Sequence, residues 1–339
     1  IILEKDFLDL SAEIGNNFTL IQGAGGNTSY KQENYLYVKA SGFKLKNSLK
    51  EKIFVPVNLK IIFDNLRNKK ENPLDGSWNE LNNIKPSIET TMHAVLPQKY
   101  IVHIHCLNSL SWLVQKDYEK EFSNIFKGYK YCIIKYAKPG LSITREIEKI
   151  KRKFVPDIIF LSNHGVVIGA NKIDEARNLI YFVSNALKQS KVCNHHIKRI
   201  SLNNEFPKIN NFRPIKYEKA HELAHHHENI KILLSGPLFP DQIVYLGPDP
   251  FLIINENQLQ FSNLNLFKLN NYPKFIIIPN LGILVSNNIS DSAEELVFAL
   301  SIIVSNIPKN SKINFLSKKN VNELVNWDSE IYRLNLNKS

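Results

Sequence analysis

The stretch YIVHIHCLN, residues 100–108, constrains this chain more than any other. Read as a β-strand, it sends His103 and His105 out of one face, while Val102 and Ile104 point to the other, toward a core. Two imidazoles side by side on a rigid strand form a ready pair of metal ligands. A third histidine, His164, lies in LSNHGVV, a turn that follows another apolar strand. A carboxylate, Glu89, stands upstream in PSIETTMHAVLP. Catalytic zinc sites typically take three protein ligands and keep one position open, and a neighbouring carboxylate can act as acid or base. The HxH pair and the Asn163-His164-Gly165 turn therefore read as metal-binding. For any one of these histidines alone, a satisfied, part-buried imidazole is the plainer reading.

Elsewhere the apolar spacing alternates between helical and extended periods. Helices are predicted over 2–14 and 59–66, with strands at 18–21, 35–40 and 53–57 and a polar loop at 67–83. A helix over 88–96 places Glu89 and His93 one turn apart on one face. The strand 100–105 and a helix over 109–114 follow. Beyond them the pattern predicts a strand at 131–136, a helix over 142–153, a strand pair at 157–161 and 166–169, and a long helix over 173–200. Residues 202–214, polar with two prolines, read as a linker. The remainder predicts a helix over 217–228 and strands at 230–235, 242–246, 251–254, 274–278 and 282–285. A helix over 291–305, N-capped by Ser290 or Asp291, and another over 321–327 complete it. The chain is thus expected to be α/β, with a first domain over 1–201 and a smaller α/β domain over 215–339.

Two other motifs compete for attention. GAGGNTS, residues 23–29, would let backbone N–H groups approach an anion, but it lacks the third glycine of a dinucleotide fingerprint and the GK[ST] of a phosphate loop. An ordinary glycine-rich turn fits it equally. AHELAHHHE matches HExxH through His221, Glu222 and His225. The residues before it are polar, no HxxGxxH extension follows, and Glu256 sits among turn residues, so it reads as a histidine-rich surface helix rather than a peptidase site. His195 and His196 also read as surface. The net charge of +11 arises from lysines scattered over loops and helix faces, without an aromatic-interleaved basic stripe. A solvated surface, with one or two charges for an anionic small molecule, is expected rather than a nucleic-acid partner. The longest apolar run, IIIPNLGILVS, is broken by Pro279, Asn280 and Gly282, so no membrane span is expected. No signal-peptide pattern opens the sequence, and Cys106, Cys132 and Cys193 form no CxxC, which predicts reduced thiols and a cytoplasmic protein.

GAGGNTSYK, LYVKASG, PSIETTMHAVLP, YIVHIHCLNSL and LSNHGVVIGA occur in the order and spacing of the class II aldolase/adducin family, over roughly residues 1–200. That family includes fuculose-1-phosphate and rhamnulose-1-phosphate aldolases and ribulose-5-phosphate 4-epimerase. VKASG, LFPDQIVYLGPDP and NWDSEIYR look most like the aldolase part of bifunctional rhamnulose-1-phosphate aldolase/dehydrogenase proteins. The resemblance implies a layered fold with a central, mainly antiparallel sheet flanked by helices. It implies that His103, His105 and His164 hold Zn2+, with Mn2+ or Co2+ as alternatives, and that Glu89 is the catalytic acid/base. It assigns Asn27, Ser41, Gly42 and Ser87 to the substrate phosphate. Where sugar-phosphate members often pair two hydroxyl residues, this chain has Ser87-Ile88, and Lys39 is expected to supply charge to a phosphate or carboxylate instead. The activity implied is a zinc-dependent lyase that cleaves or epimerises a sugar phosphate, or a related hydroxy acid or hydroxy-carbonyl compound, through a metal-stabilised enediolate. A homo-oligomer, a tetramer in many members, is expected. The alternative classes are a non-catalytic adducin-like module and the HExxH peptidase.

Overall fold

Among the described residues the strands form two sheets, one of seven strands and one of four. A computed structural model of the chain describes residues 3–79, 84–189, 206–254 and 273–325. In chain order its first elements are α1 (Lys5–Asn16), β1 (Asn27–Gln32), β2 (Tyr35–Lys39), β3 (Phe54–Asn58), α2 (Leu59–Arg67) and α3 (Thr90–Val95). Then come β4 (Tyr100–Ile104), α4 (Leu107–Leu113), α5 (Glu119–Ile125), β5 (Tyr131–Ile134), α6 (Leu141–Lys151), β6 (Ile158–Leu161), β7 (Gly165–Ala170) and α7 (Ile173–Ala186). The strands form a seven-stranded sheet in the order β3-β2-β1-β4-β7-β6-β5. All neighbours are antiparallel except β5 and β6. The expected mainly antiparallel sheet flanked by helices is therefore what the chain forms.

Strands β4 and β7 are buried at every position. Because both faces are covered, they read as apolar runs rather than as alternation. Val102, Ile104, Val166 and Ile168 pack with Leu10 and Ile14 of α1 and Ile180 and Val183 of α7. Ile101, Ile159 and Val167 pack on the opposite face, against Met92 and Val95 of α3 and Ile143 and Ile147 of α6. Each such aliphatic side chain contributes about 1.5–3 kcal/mol by leaving water. The parity places His103, with Ile101, on the α3 face of the sheet.

A second compact unit contains, among the described residues, 206–254, 273–325 and the short segment Val114–Lys116. Its elements are β8 (Phe212–Pro214), a 3-10 helix (Glu218–His225), α8 (His227–Ser235), α9 (Pro240–Leu246), β9 (Phe251–Ile253), β10 (Phe275–Ile278), β11 (Gly282–Ser286), α10 (Asp291–Ser305) and α11 (Lys318–Val325). The sheet order is β8-β11-β10-β9, with only the β9–β10 pair parallel. Ser290 caps α10, its Oγ accepting from the Ala293 amide at 3.3 Å. Buried Glu294 in the first turn of α10 is gripped by Arg213, whose Nη1 and Nη2 donate to its two oxygens at 2.8 and 2.9 Å.

Several expectations are corrected. Residues 18–21 form a turn, and the strand lies instead at β1, NTSYKQ, whose polar run gives no hydrophobic signal. Helix α5 was not expected. The runs expected as strands at 230–235 and 242–246 belong to α8 and α9. Short apolar runs do not distinguish the two states. In α8, Ile230 and Leu233 are buried while Leu234 is 63% exposed, which is helical rather than alternating spacing. In α9, Pro240 occupies the first turn, where its fixed φ favours a helix. Strand β8 takes the last three residues of the expected linker, by pairing with β11. Helix α7 ends at Ala186 rather than 200. The domain boundary expected at 201, together with Cys193, His195, His196, Glu256 and the NWDSEIYR stretch, lies outside the described residues. Among the described residues no helix is long and apolar enough to cross a membrane.

Candidate metal and acid/base site

His103 is the second-last residue of β4, and His105 lies just beyond the strand end. His164 sits in the turn between β6 and β7, which closes on the Leu161–Gly165 pair. Asn163 occupies the left-handed region there, with φ 57°, a conformation asparagine accepts more readily than most residues. The amide of Asn163 donates to Leu113 O, and Tyr118 Oη lies 2.7 Å from Ser162 Oγ, so the turn is tied to the surrounding core. Gly165 is required by proximity. A Cβ there would stand 2.4 Å from Ile104 O and 3.1 Å from His103 Cε1.

These elements bring His103, His105 and His164 together, all buried, with one ligand nitrogen from each within 4.8 Å of the others. The Nε2 atoms of His103 and His105 are 3.0 Å apart. Nitrogens each about 2.1 Å from one tetrahedral ion stand about 3.4 Å apart, so little movement separates this arrangement from a ligand set. His103 Nδ1 lies 3.1 Å from Val166 O. That carbonyl can only accept, which places the His103 proton on Nδ1 and turns the Nε2 lone pair toward the cluster. Glu89 faces the same point, its Oε2 lying 3.5 Å from His103 Nε2 and its Oε1 3.6 Å from His164 Nε2. Glu89 Oε1 is buried and accepts no hydrogen bond among the described residues. An acceptor-only atom in that position, beside three convergent imidazoles, fits a cation. Burial pushes the Glu89 carboxyl up, but the fields of His103 and His164 and the hydrogen bond from Asn27 outweigh it, holding the group at about 2. Glu89 is thus a carboxylate at neutral pH.

Three loops meet beside Glu89. Gly26, at φ 57°, lets the glycine-rich loop pass so close to β4 that a Cβ would lie 2.7 Å from His103 O. The next residue, Asn27, then pairs across the sheet with His103. Its Nδ2 donates to Glu89 Oε2 at 2.8 Å and to Ser87 Oγ at 3.1 Å. Ser41 and Ser87 lie on adjacent segments joined by Ser41 N to Lys85 O and Ser87 N to Lys39 O, at 2.9 and 3.1 Å. Gly42 follows in the left-handed region at φ 82°. Lys39 is 2% exposed, and its Nζ donates to Ala24 O and Phe43 O at 3.0 and 2.8 Å. It therefore ties the glycine-rich loop to the segment that follows the Ser41-Gly42 turn.

Residues 6–190 match the class II aldolase and adducin N-terminal domain family. The chain belongs to this family. Over 171 residues it is 25% identical to "Uncharacterized oxidoreductase YuxG" of Bacillus subtilis (strain 168), a match spanning 45% of this chain and 24% of that protein. The N-terminal class II aldolase domain of a conserved protein from Thermoplasma acidophilum aligns with 55% of this chain and 93% of its own, at a TM-score of 0.48 and 23% identity. YgbL of Klebsiella pneumoniae, described as a putative aldolase/epimerase/decarboxylase, aligns with 55% of this chain and 89% of its own, at a TM-score of 0.40 and 20% identity.

The HExxH residues behave differently. They lie in a 3-10 helix rather than an α-helix, so His221 and His225 are not spaced as a ligand pair. His221 is buried, with its Nδ1 accepting from the Ile283 amide at 3.0 Å and its ring 5.0 Å from that of Phe206. Among the described residues, the one group of three or more that could hold a metal is His103, His105 and His164. Sequence reasoning missed Ser29, Lys31 and the partners of His93. Their signal was the alternation Asn27, Ser29, Lys31, which places three polar side chains on one face of β1.

Proposed function

We propose that the chain is a divalent-metal-dependent lyase or epimerase, acting on a sugar phosphate or related hydroxy-carbonyl compound by way of an enediolate. The observation that carries this reading is the focus of three buried imidazoles and an ionised carboxylate on one point. His103, His105 and His164 would hold the ion, Zn2+ by donor type, with Mn2+ or Co2+ as substitutes. When bound, such an ion supplies Lewis acidity that lowers the energy of negative charge on the substrate oxygens.

The chain's own groups would do the rest. Glu89 Oε1, which accepts no hydrogen bond among the described residues, would be the atom to take a proton from carbon and return it. Asn27 holds the other oxygen, so the carboxylate presents one defined lone pair. Ser87 Oγ accepts from Asn27 Nδ2 and from the Glu89 amide at 3.1 and 3.3 Å, which leaves its own O–H to donate to an anionic group. With Ser41, Gly42 and the Lys39 cation, it would form the anion-binding side of the site. Asn27 and Ser87 serve both sides, which couples substrate binding to the placement of Glu89. By the same family likeness, a homo-oligomer is proposed.

The test has two arms. Protein loaded with Zn2+, then freed of excess, should lose its metal in His103→Ala and keep it in His225→Ala; the reverse pattern sinks the reading. Metal-loaded protein screened against ketose 1-phosphates and hydroxy acids, with products identified, should turn over one class. Glu89→Gln should slow that reaction by about 10²–10⁴-fold, the usual contribution of a positioned acid/base.

A further inference from the structure

Strand β1 presents alternate residues to α3, and each takes hold of it. Asn27 Nδ2 donates to Glu89 Oε2 at 2.8 Å. Ser29 Oγ lies 2.7 Å from His93 Nδ1. Lys31 Nζ donates to the main-chain oxygen of His93 at 2.9 Å. His93 Nε2 meets Asn27 Oδ1, so both ring nitrogens of this fully buried histidine are committed.

The polarity of the chain of bonds follows from one end. The Glu89 carboxylate can only accept, so the atom of Asn27 that faces it is the NH2 group. Asn27 Oδ1 then faces His93 and can itself only accept. His93 must therefore carry its proton on Nε2, and its bare Nδ1 accepts from the Ser29 hydroxyl. Protons are donated in one direction, from Ser29 to His93 to Asn27 to Glu89. Were the His93 proton on Nδ1, the Asn27 amide would be pressed to turn over and set its carbonyl against the carboxylate.

We propose that His93 is a positioning residue, whose Nε2–H fixes the Asn27 amide in the orientation that holds Glu89 Oε2 and leaves Oε1 for proton transfer. This rests on the acid/base role proposed for Glu89. Burial supports it by disfavouring a second proton on the ring, which holds His93 down at about 3 despite the nearby Glu89 charge.

The decisive comparison is His93→Gln with His93→Asn. A glutamine amide nitrogen reaches the place of Nε2, whereas asparagine reaches only that of Nδ1, and both stay polar enough for the buried position; His93→Leu removes both bonds. In protein labelled with 15N at histidine and asparagine, magnetic resonance should show His93 protonated on Nε2 and a slowly exchanging Asn27 side-chain amide. That amide signal should persist in His93→Gln and be lost in His93→Asn and His93→Leu. With the substrate found by the screen, kcat should fall about 10- to 100-fold in the Asn and Leu variants and recover in Gln, with KM and Zn2+ content unchanged. Protonation on Nδ1, or a Gln variant as impaired as Asn, overturns the proposal. The resonance readouts need no substrate, so a failed screen would not touch them. A His93 of the wrong tautomer beside an active lyase would remove this role and leave the function standing.

Discussion

The two histidine-rich stretches of this chain show how little a motif says before its surroundings are known. AHELAHHHE carries more histidines than YIVHIHCLN in a stretch of the same length, and it matches a named metal pattern. Yet His221 spends its Nδ1 on the Ile283 amide and packs on Phe206, so it stitches the 3-10 helix to β11. His103 and His105 stand at the end of a strand buried on both faces, with a third imidazole and a carboxylate brought in by other elements. The difference is where each lone pair is aimed. Rigid strand ends aim it at a shared point, whereas the 3-10 helix aims it at backbone.

The sharpest way to break this contrast is Gly165→Val. Its side chain would have to occupy space taken by Ile104 O and the His103 ring, at 2.4 and 3.1 Å from Cβ alone. A loss of about 3 kcal/mol or more in stability and a 10- to 100-fold loss in Zn2+ affinity are expected, read by chemical denaturation and metal competition. Next comes a crossed pair. His221→Leu leaves the Ile283 N–H buried without its partner and should cost about 1–3 kcal/mol while Zn2+ content is unchanged. His103→Leu should do the opposite, changing the stability of metal-free protein less than His221→Leu does and abolishing Zn2+ binding when the ion is added. If both variants lose metal, or neither does, the contrast fails.

Smaller effects sharpen it by pH. His93 sits at about 3 in the fold against 6.5 when unfolded, so between those values the unfolded chain binds more protons. Metal-free protein should therefore lose stability as pH falls across that window, by at most about 1.4 kcal/mol per unit, and His93→Gln should remove this slope. In the second unit, burial pushes Glu294 up, but Arg213 and the Lys216 amide pull it below its ordinary 4.5. Its contribution is present above 4.5 and is lost as pH falls through the lowered value. Hydrogen exchange at β10 and β11 amides should show that loss in the parent and not in Glu294→Gln. The smallest effect is expected at the exposed Lys135–Glu119 pair, where Lys135→Met should change stability by less than about 0.5 kcal/mol.

What was legible in the sequence follows the same division. Strands β4, β6 and β7 announce themselves because they are buried on both faces, and the HxH spacing and NHG turn follow from them. Ser290 announced the start of α10 because its cap is local in sequence. Strand β1 did not, because its inward residues are held by hydrogen bonds to partners about 60 positions away, such as Ser87 and Glu89. Helices α8 and α9 were misread for a different reason: a run of four or five apolar residues carries no period, and only burial on one side or a proline in the first turn decides.

The alternation within β1 has one more consequence. Thr28 and Tyr30 look toward α1, where they meet Ser11 and Phe7, while Asn27, Ser29 and Lys31 look toward α3. A slip of this strand by a single residue would thrust an aromatic ring among hydrogen-bonding groups and strand an amide against a phenyl face. Correct pairing of this strand and correct placement of the Glu89 carboxylate are thus one event, so a chain that misaligns there could not hold the site proposed above.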